Sequence, residues 1–391
     1  MKRSHVVISM LISLMGIGYS TGAASAFPLI AGEGPLDRSL APEMNGELLW
    51  LAQASSNLTD AQQNQVDELL QQGQDRVDAS DYAGAIAVYE QAARIDRQNP
   101  KLFSGIGYLN IQSGNYSAAI EAYERAIELD SDNIPFHYGL AHSQFNAGQL
   151  DNAEQTYRAI LSLNRQETDA YLGIGGIQMQ REDYDGALAT YQNLVRVAPG
   201  QVQVYLALGT LYLQQEDYEQ ALSYLERGKT ADPNNADIYV SIGNIYLVQD
   251  NPEAAETNFR TAVELDPQDA TAQYQLGYLL YEDGEDEAAF RHLLTAAQLN
   301  SDLIEAQVLV GELALERENY VQAVLAYRKV TRAMSDDPAA HYNLGLALWG
   351  QGFKGQAVSS MEFASYLYER QEDEAGVSRA EEVLEFWQGQ L

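Results

Sequence analysis

Cysteine is absent from this sequence of 391 residues. The protein therefore has no disulfide bond, no thiolate nucleophile and no cysteine-ligated metal.

Basic residues are also scarce. Lysine and arginine together number 23, against 56 aspartates and glutamates, which gives a formal net charge of −33. Such an acidic surface repels the phosphates of nucleic acid and the headgroups of anionic lipids. We therefore expect no nucleic-acid partner. Solubility or a saline habitat would explain the acidity without any role in binding.

Only one long hydrophobic run is present, at residues 6–17, and it follows a short basic stretch at residues 2–3. Residues 24–26, Ala-Ser-Ala, supply the small-x-small pattern of a signal peptidase site. We predict a signal peptide at residues 1–26 that is cleaved before Phe27. The run is shorter than the roughly 20 residues of a bilayer span, so no stable membrane insertion is expected after cleavage. An uncleaved membrane anchor is the open alternative.

A segment without periodicity follows the signal peptide. Residues 27–65 are predicted to be a flexible linker and the start of the first helix, because glycine, proline and serine recur up to about residue 58. An apolar cluster, Leu48-Leu49-Trp50-Leu51, interrupts the linker. It could dock on the first repeat or bind a partner, and the sequence leaves both open.

Small residues return every 34 positions along the rest of the chain. Alanine fills nine of nine positions in one series, and glycine fills eight of the nine positions twelve residues upstream. Glycine inside a helix costs about 1 kcal/mol relative to alanine, so its repetition predicts a close approach of glycine backbone to the alanine methyl group of the next helix. The alanines are Ala85, Ala119, Ala153, Ala187, Ala221, Ala255, Ala289, Ala323 and Ala357, and the upstream series is Gly73, Gly107, Ala141, Gly175, Gly209, Gly243, Gly277, Gly311 and Gly345.

These positions belong to a longer motif. Tyr205-Leu206-Ala207-Leu208-Gly209 followed by Ala221 is one good instance, and Tyr239 to Gly243 followed by Ala255, Phe259, Ala262 and Pro267 is another. The pattern resembles the tetratricopeptide repeat (TPR) family and covers residues 66–371 as nine repeats without insertion. The resemblance implies an all-α fold, a right-handed superhelical solenoid of antiparallel helix pairs. Residues 372–391 keep apolar residues at three- and four-residue steps and are predicted to form a C-terminal capping helix.

No residue pattern indicates chemistry. Gly228-Lys229-Thr230 lacks the upstream glycine and the preceding strand of a phosphate-binding loop. His137 and His142 are five residues apart, so they lie on different helix faces and do not form a metal-chelating pair. We expect no catalytic residue, no metal and no cofactor, and we interpret the protein as a non-enzyme that binds protein or peptide partners.

The resemblance implies that the first helix of each repeat lines a concave groove. Aromatic residues gather at inward positions of repeats two and three and again in repeats seven to nine, where they could anchor a partner or pack between helices. Some family members hold a C-terminal carboxylate with lysine, arginine and asparagine at inward positions. Here only Lys101 and Asn244 occupy such positions, among Asp169, Asp237, Glu305 and Glu312. A carboxylate-binding site is therefore not expected, and an apolar peptide with basic flanks fits better. The candidate groove residues are Tyr108, Tyr138, His142, Phe145, Tyr274, Tyr278, Tyr281, Tyr342 and Trp349.

Three functions fit these features. The first is an exported scaffold or assembly factor of the cell envelope, in a bacterial periplasm or, in a photosynthetic organism, the thylakoid lumen. The second is a regulatory or docking module for an envelope enzyme such as a glycosyltransferase. The third is an array that associates with itself.

Overall fold

The computed structural model describes residues 58–390. The predicted signal peptide, the apolar cluster at residues 48–51 and Leu391 lie outside this range. Within it the chain forms nineteen α-helices and no strand. The helices are α1 Asp60–Asp78, α2 Tyr82–Ile95, α3 Pro100–Gln112, α4 Tyr116–Leu129, α5 Ile134–Asn146, α6 Leu150–Leu163, α7 Thr168–Gln180, α8 Tyr184–Val197, α9 Val202–Gln214, α10 Tyr218–Ala231, α11 Ala236–Val248, α12 Pro252–Leu265, α13 Ala270–Glu282, α14 Asp286–Leu299, α15 Ile304–Glu316, α16 Tyr320–Ala333, α17 Pro338–Gly350, α18 Lys354–Arg370 and α19 Glu374–Gln388.

The described residues fall into two compact units. The first ends at Ala231 and holds five helix pairs, and the second begins at Asp232 and holds four pairs followed by α19. In each pair a short turn joins two helices that pack side by side, and inside a unit the second helix of one pair packs against the first helix of the next. The all-α class and the helix-pair repeat are confirmed.

Eight of the nine pairs pack closely at a glycine, and the structure corrects the predicted partner of that glycine. A Cβ on Gly107 would lie 2.7 Å from Cε2 of Tyr123, and one on Gly311 would lie 2.7 Å from Cε2 of Tyr327. The nearest neighbour is therefore the large side chain four residues after the alanine, and not the alanine methyl group. At Gly107 and Gly311 this side chain is a tyrosine, which is longer than the methyl group and reaches further across the pair, whereas at Gly209 and Gly277 it is a leucine. All nine alanines of the series are nonetheless fully buried.

The same rings also connect neighbouring repeats. A Cβ on Gly139 of α5 would collide with the Tyr123 ring as well, so this ring lies between Gly107 of its own pair and Gly139 of the next. Tyr157 similarly lies 2.7 Å from the place of a Cβ on Gly173. One aromatic side chain thus fixes two helix–helix distances, within the repeat and between repeats.

Each turn between the two helices of a pair contains a residue with left-handed backbone. Four of these positions are glycines with φ between 70° and 90°, and five are other residues with φ between 56° and 60°. Glutamate fills three of the five, although an L side chain is disfavoured there. In most pairs the next residue caps the helix that follows: Asp81 Oδ1 accepts from the Gly84 amide at 3.0 Å, and Asp183 Oδ1 accepts from the Gly186 amide at 3.0 Å.

We expect Ala221→Leu to lower the free energy of unfolding by about 1–3 kcal/mol, because the fully buried methyl site has no room for a larger side chain. Urea unfolding measures the loss. Hydrogen exchange should show that protection falls first in the adjacent repeats, since a repeat array is stabilised by nearest neighbours. Ala61→Leu, at an exposed helical position of the same unit, is the matched control. Equal loss of hydrogen-exchange protection along the whole unit would contradict the expected local destabilisation.

Candidate functional site

The first helices of neighbouring pairs contact one another directly. Such contacts join α3 to α5, α7 to α9 and α15 to α17. Side chains on the two helices of each of these pairs can therefore share one surface. All nine predicted groove residues lie on first helices, three of them on α13.

The α13 tyrosines form a connected group in the second unit. Tyr274 is 3% exposed and stacks on Tyr278, with ring centroids 6.2 Å apart and planes at 26°. Tyr281 is 6% exposed, and its hydroxyl donates to Glu312 Oε1 of α15 at 2.9 Å. Tyr278 is half-buried. Of the three, only Tyr278 keeps enough exposed surface to receive a partner, and the other two set its position.

Carboxylates lie beside these rings. Burial raises the pKa of Tyr278 to about 12, and the nearby Glu282 carboxylate adds to the shift. Burial also raises the pKa of Tyr274 well above its ordinary value, with Glu305 as the next cause. Both hydroxyls therefore remain protonated at neutral pH. Glu282, Glu305 and Glu312 are half-buried, and none of them has a basic side chain within ion-pair distance among the described residues.

The first unit repeats this combination on α5. Tyr138 is 4% exposed, its hydroxyl donates to Glu167 Oε2 at 3.3 Å, and its ring meets Tyr157 edge-on at 6.3 Å. Burial is the main cause that raises the pKa of Asp169, and the adjacent Glu167 carboxylate raises it further, whereas a hydrogen bond from Thr168 opposes the shift.

The other predicted residues of the first unit keep part of their surface. Tyr108, His142 and Phe145 are half-buried. The His142 ring Nε2 lies 3.2 Å from Asn146 Nδ2, one turn further along α5. Phe145 packs against the same core cluster as Tyr138, whereas Tyr108 packs against the core around Leu102 and Leu109.

The structure changes the interpretation of Trp349. Its ring stacks on Trp387 of α19 with centroids 4.4 Å apart and planes at 2°, and Lys354 Nζ lies 5.0 Å from the ring centroid. Trp349 therefore belongs to the packing that joins α17 to the C-terminal helix. Tyr342, on the same helix, is half-buried against the same core. Tyr278 is the better probe of partner binding.

The acidic neighbours of the tyrosines lie at a fixed distance from them in the sequence. Asp169, Glu305 and Glu312 each follow a predicted groove tyrosine by 31 residues, as the pairs Tyr138–Asp169, Tyr274–Glu305 and Tyr281–Glu312. This offset is three residues, or about one helical turn, shorter than the 34-residue repeat. The acid therefore lies opposite the tyrosine, on the first helix of the next repeat. Sequence reasoning used these acids only to exclude a carboxylate-binding site.

The described residues contain neither a metal-binding cluster nor a membrane-spanning helix. Residues 58–390 contain no cluster of three or more histidine or acidic side chains placed to hold a metal ion. No helix in the same range combines the length and apolar character needed to cross a membrane.

The half-buried Asp169 provides a test of the acidic surface. We expect Asp169→Asn to raise the free energy of unfolding at neutral pH, because it removes an ionised carboxylate that burial disfavours. A carboxyl group with a raised folded-state pKa stabilises the fold only when protonated, so the advantage of asparagine should shrink as the pH falls towards 3.8. Urea unfolding across this pH range measures it. Asp132→Asn, in an exposed loop, is the control. An advantage of Asp169→Asn that persists in acid would contradict the explanation.

Comparison with known proteins agrees with this architecture. The family described as the C-terminal domain of cilia and flagella-associated protein 70 matches residues 134–344, more than half of the chain, and a TPR repeat family matches residues 107–148. A TPR repeat-containing protein of Picosynechococcus sp. is 36% identical over 74 residues, which are 19% of this chain and 19% of that protein.

A solved structure of low sequence identity has the same fold. A tetratricopeptide repeat protein from Parabacteroides merdae superposes with a TM-score of 0.50 at 18% identity, over 64% of this chain and 99% of that one. The Pseudomonas aeruginosa protein pilF superposes with a TM-score of 0.45 at 19% identity, over 56% of this chain and 93% of that one. Identities this low bear on the fold alone. Together with the helix-pair repeat and its glycine–aromatic contacts, the family match shows that the chain belongs to the tetratricopeptide repeat family.

Proposed function

We propose that this TPR scaffold is exported to the cell envelope and acts there as an adaptor or assembly factor that binds apolar peptide segments flanked by basic residues. The observation that carries the binding part is the half-buried Tyr278 beside half-buried carboxylates that have no basic partner among the described residues. The proposal assigns the protein no catalytic role.

The chemistry of this surface favours a mixed peptide. The Tyr278 ring offers apolar area with a polar tip, a combination favoured at protein interfaces. Glu282, Glu305 and Glu312 are partly removed from water and would gain from a lysine or arginine brought by the partner. A cation that also contacts a tyrosine ring would gain a cation–π interaction. An acidic peptide would leave like charges facing each other, so the surface also discriminates against such partners.

Burial of the flanking tyrosines supports the same proposal. Tyr274 and Tyr281 are almost inaccessible, and the hydrogen bond from Tyr281 to Glu312 connects α13 to α15. The surface around Tyr278 is therefore organised before a partner arrives, and binding would require little ordering of side chains. Tyr278 would contact the partner, and its neighbours would hold it in place.

Binding can be tested with a short synthetic peptide that has a leucine- and phenylalanine-rich centre and a pair of arginines at each end. We expect Tyr278→Ala to weaken its binding by about 2 kcal/mol or more if Tyr278 is an anchor. Paired Glu305→Gln and Glu312→Gln substitutions should weaken the same peptide and make binding less sensitive to salt. Isothermal titration calorimetry at low and high salt measures both effects.

Two controls make the result specific. The same peptide with glutamates in place of its arginines should bind much more weakly to the unmodified protein. Tyr366→Ala removes a tyrosine that is 52% exposed on the second helix α18 and should leave affinity unchanged. If Tyr278→Ala leaves the peptide affinity unchanged while high salt abolishes binding, the acidic exterior, and not the first-helix surface, binds the peptide.

Export rests on the signal sequence. We expect the protein expressed with its complete sequence in a bacterium to be recovered from the periplasm and to begin at Phe27, as N-terminal sequencing would show. Ala26→Lys, which replaces the small residue before the cleavage site, should leave the signal attached. Recovery of the unmodified protein with Met1 in a membrane fraction would instead indicate an uncleaved anchor.

A further inference from the structure

Helix α16 has an unusual charge in this acidic protein. It carries Arg328, Lys329 and Arg332 and contains no aspartate or glutamate, so its net charge is 3 − 0 = +3. No other helix among the described residues has a net charge above +1. A surface helix with this composition stands out because the chain as a whole carries a charge of −33.

The basic residues share an exposed face with apolar side chains. Val321 is 57% exposed and Leu325 is 53% exposed. The helix continues from Val321 to Leu325, Arg328 and Arg332 in steps of four, three and four residues, so all four side chains lie on one helix face. Arg328 donates to Gln356 Oε1 at 3.1 Å. None of the three basic side chains has a carboxylate within ion-pair distance among residues 58–390.

The C-terminal helix α19 presents the complementary face. Glu381, Glu382 and Glu385 are exposed and form no ion pair within the described part of the chain. Phe386 is 64% exposed, the largest exposed fraction among the large apolar side chains of that range. The buried face of α19 carries Ala380 and Trp387 and is occupied by packing on its own unit. The acidic face is therefore free for contact with another molecule.

The two faces match in spacing. The three cations on α16 lie at steps of one and three residues, and the three carboxylates on α19 lie at the same steps. Each face also adds apolar surface, from Val321 and Leu325 on one helix and from Phe386 on the other.

We propose that α16 of one copy of the protein binds α19 of a second copy. Two acidic chains repel each other over most of their surfaces, so an attractive contact between copies must use a basic face, and α16 is the most basic helix described. Pairing would neutralise three carboxylates and three cations and would bury Val321, Leu325 and Phe386. This association uses residues outside the surface around Tyr278 and does not depend on the proposed peptide binding.

Sedimentation equilibrium over a range of protein concentrations tests the contact. The unmodified protein should increase in mean mass as its concentration rises. The triple variant R328E, K329E and R332E should keep the mass of a single chain, and so should the triple variant E381K, E382K and E385K. All six positions are exposed, and circular dichroism with thermal unfolding checks that both variants remain folded.

Mixing the two triple variants is the decisive experiment. In the mixture each α16 meets an α19 of opposite charge on the other variant, so association should return although neither variant associates alone. The matched control for the α19 variant is E121K, E124K and E219K, which makes the same change in net charge as that variant at exposed positions elsewhere and should associate like the unmodified protein.

Three outcomes would overturn the proposal. The unmodified protein could keep the mass of one chain at every concentration, or its association could survive both charge reversals. A single chain that instead bound vesicles of anionic lipid in an Arg328-dependent manner would show that α16 serves a membrane surface and not a second copy.

Discussion

The contact on which the rest of the fold depends is a large side chain, most often an aromatic ring, packed against a glycine. Tyr123 occupies the space that a side chain on Gly107 would need, and the same ring lies against Gly139 of the following repeat. Because one ring sets the spacing inside a helix pair and the spacing to the next pair, each repeat transmits its geometry to its neighbour. A substituent on either glycine would separate two interfaces at once.

This contact also determines where the chain can carry function. The second helices supply the rings that face the glycines, so their inner faces are committed to the core. Some neighbouring first helices contact one another within a unit, and the first helices still present half-buried side chains such as Tyr278. Tyr274 and Tyr281 are buried and hold that surface in place. Only part of the aromatic cluster is therefore exposed.

The second unit has surfaces that differ in charge and in burial. The carboxylates near Tyr278 are half-buried and have no basic partner among the described residues, which suits a cationic ligand. On the exterior, the basic face of α16 and the acidic face of α19 are both exposed, which suits contact between molecules. A chain of net charge −33 gains solubility from repulsion over most of its area. Any attraction between copies is then confined to the few places where the sign reverses.

The sequence by itself determined the fold class and its register, because a 34-residue alternation of glycine, alanine and aromatic residues is compatible only with closely packed helix pairs repeated in series. It also located the candidate aromatic residues on first helices. Tertiary structure alone decided that Tyr281 is covered while Tyr278 is accessible, and that Trp349 is stacked on Trp387. It likewise showed that the repeat glycines contact the large side chain four residues after the alanine, which is an aromatic ring in five of the eight repeats with this glycine. The physical reason is that periodicity reports which helix face a residue occupies, whereas the depth of burial and the identity of the contact depend on side-chain lengths in the neighbouring helix.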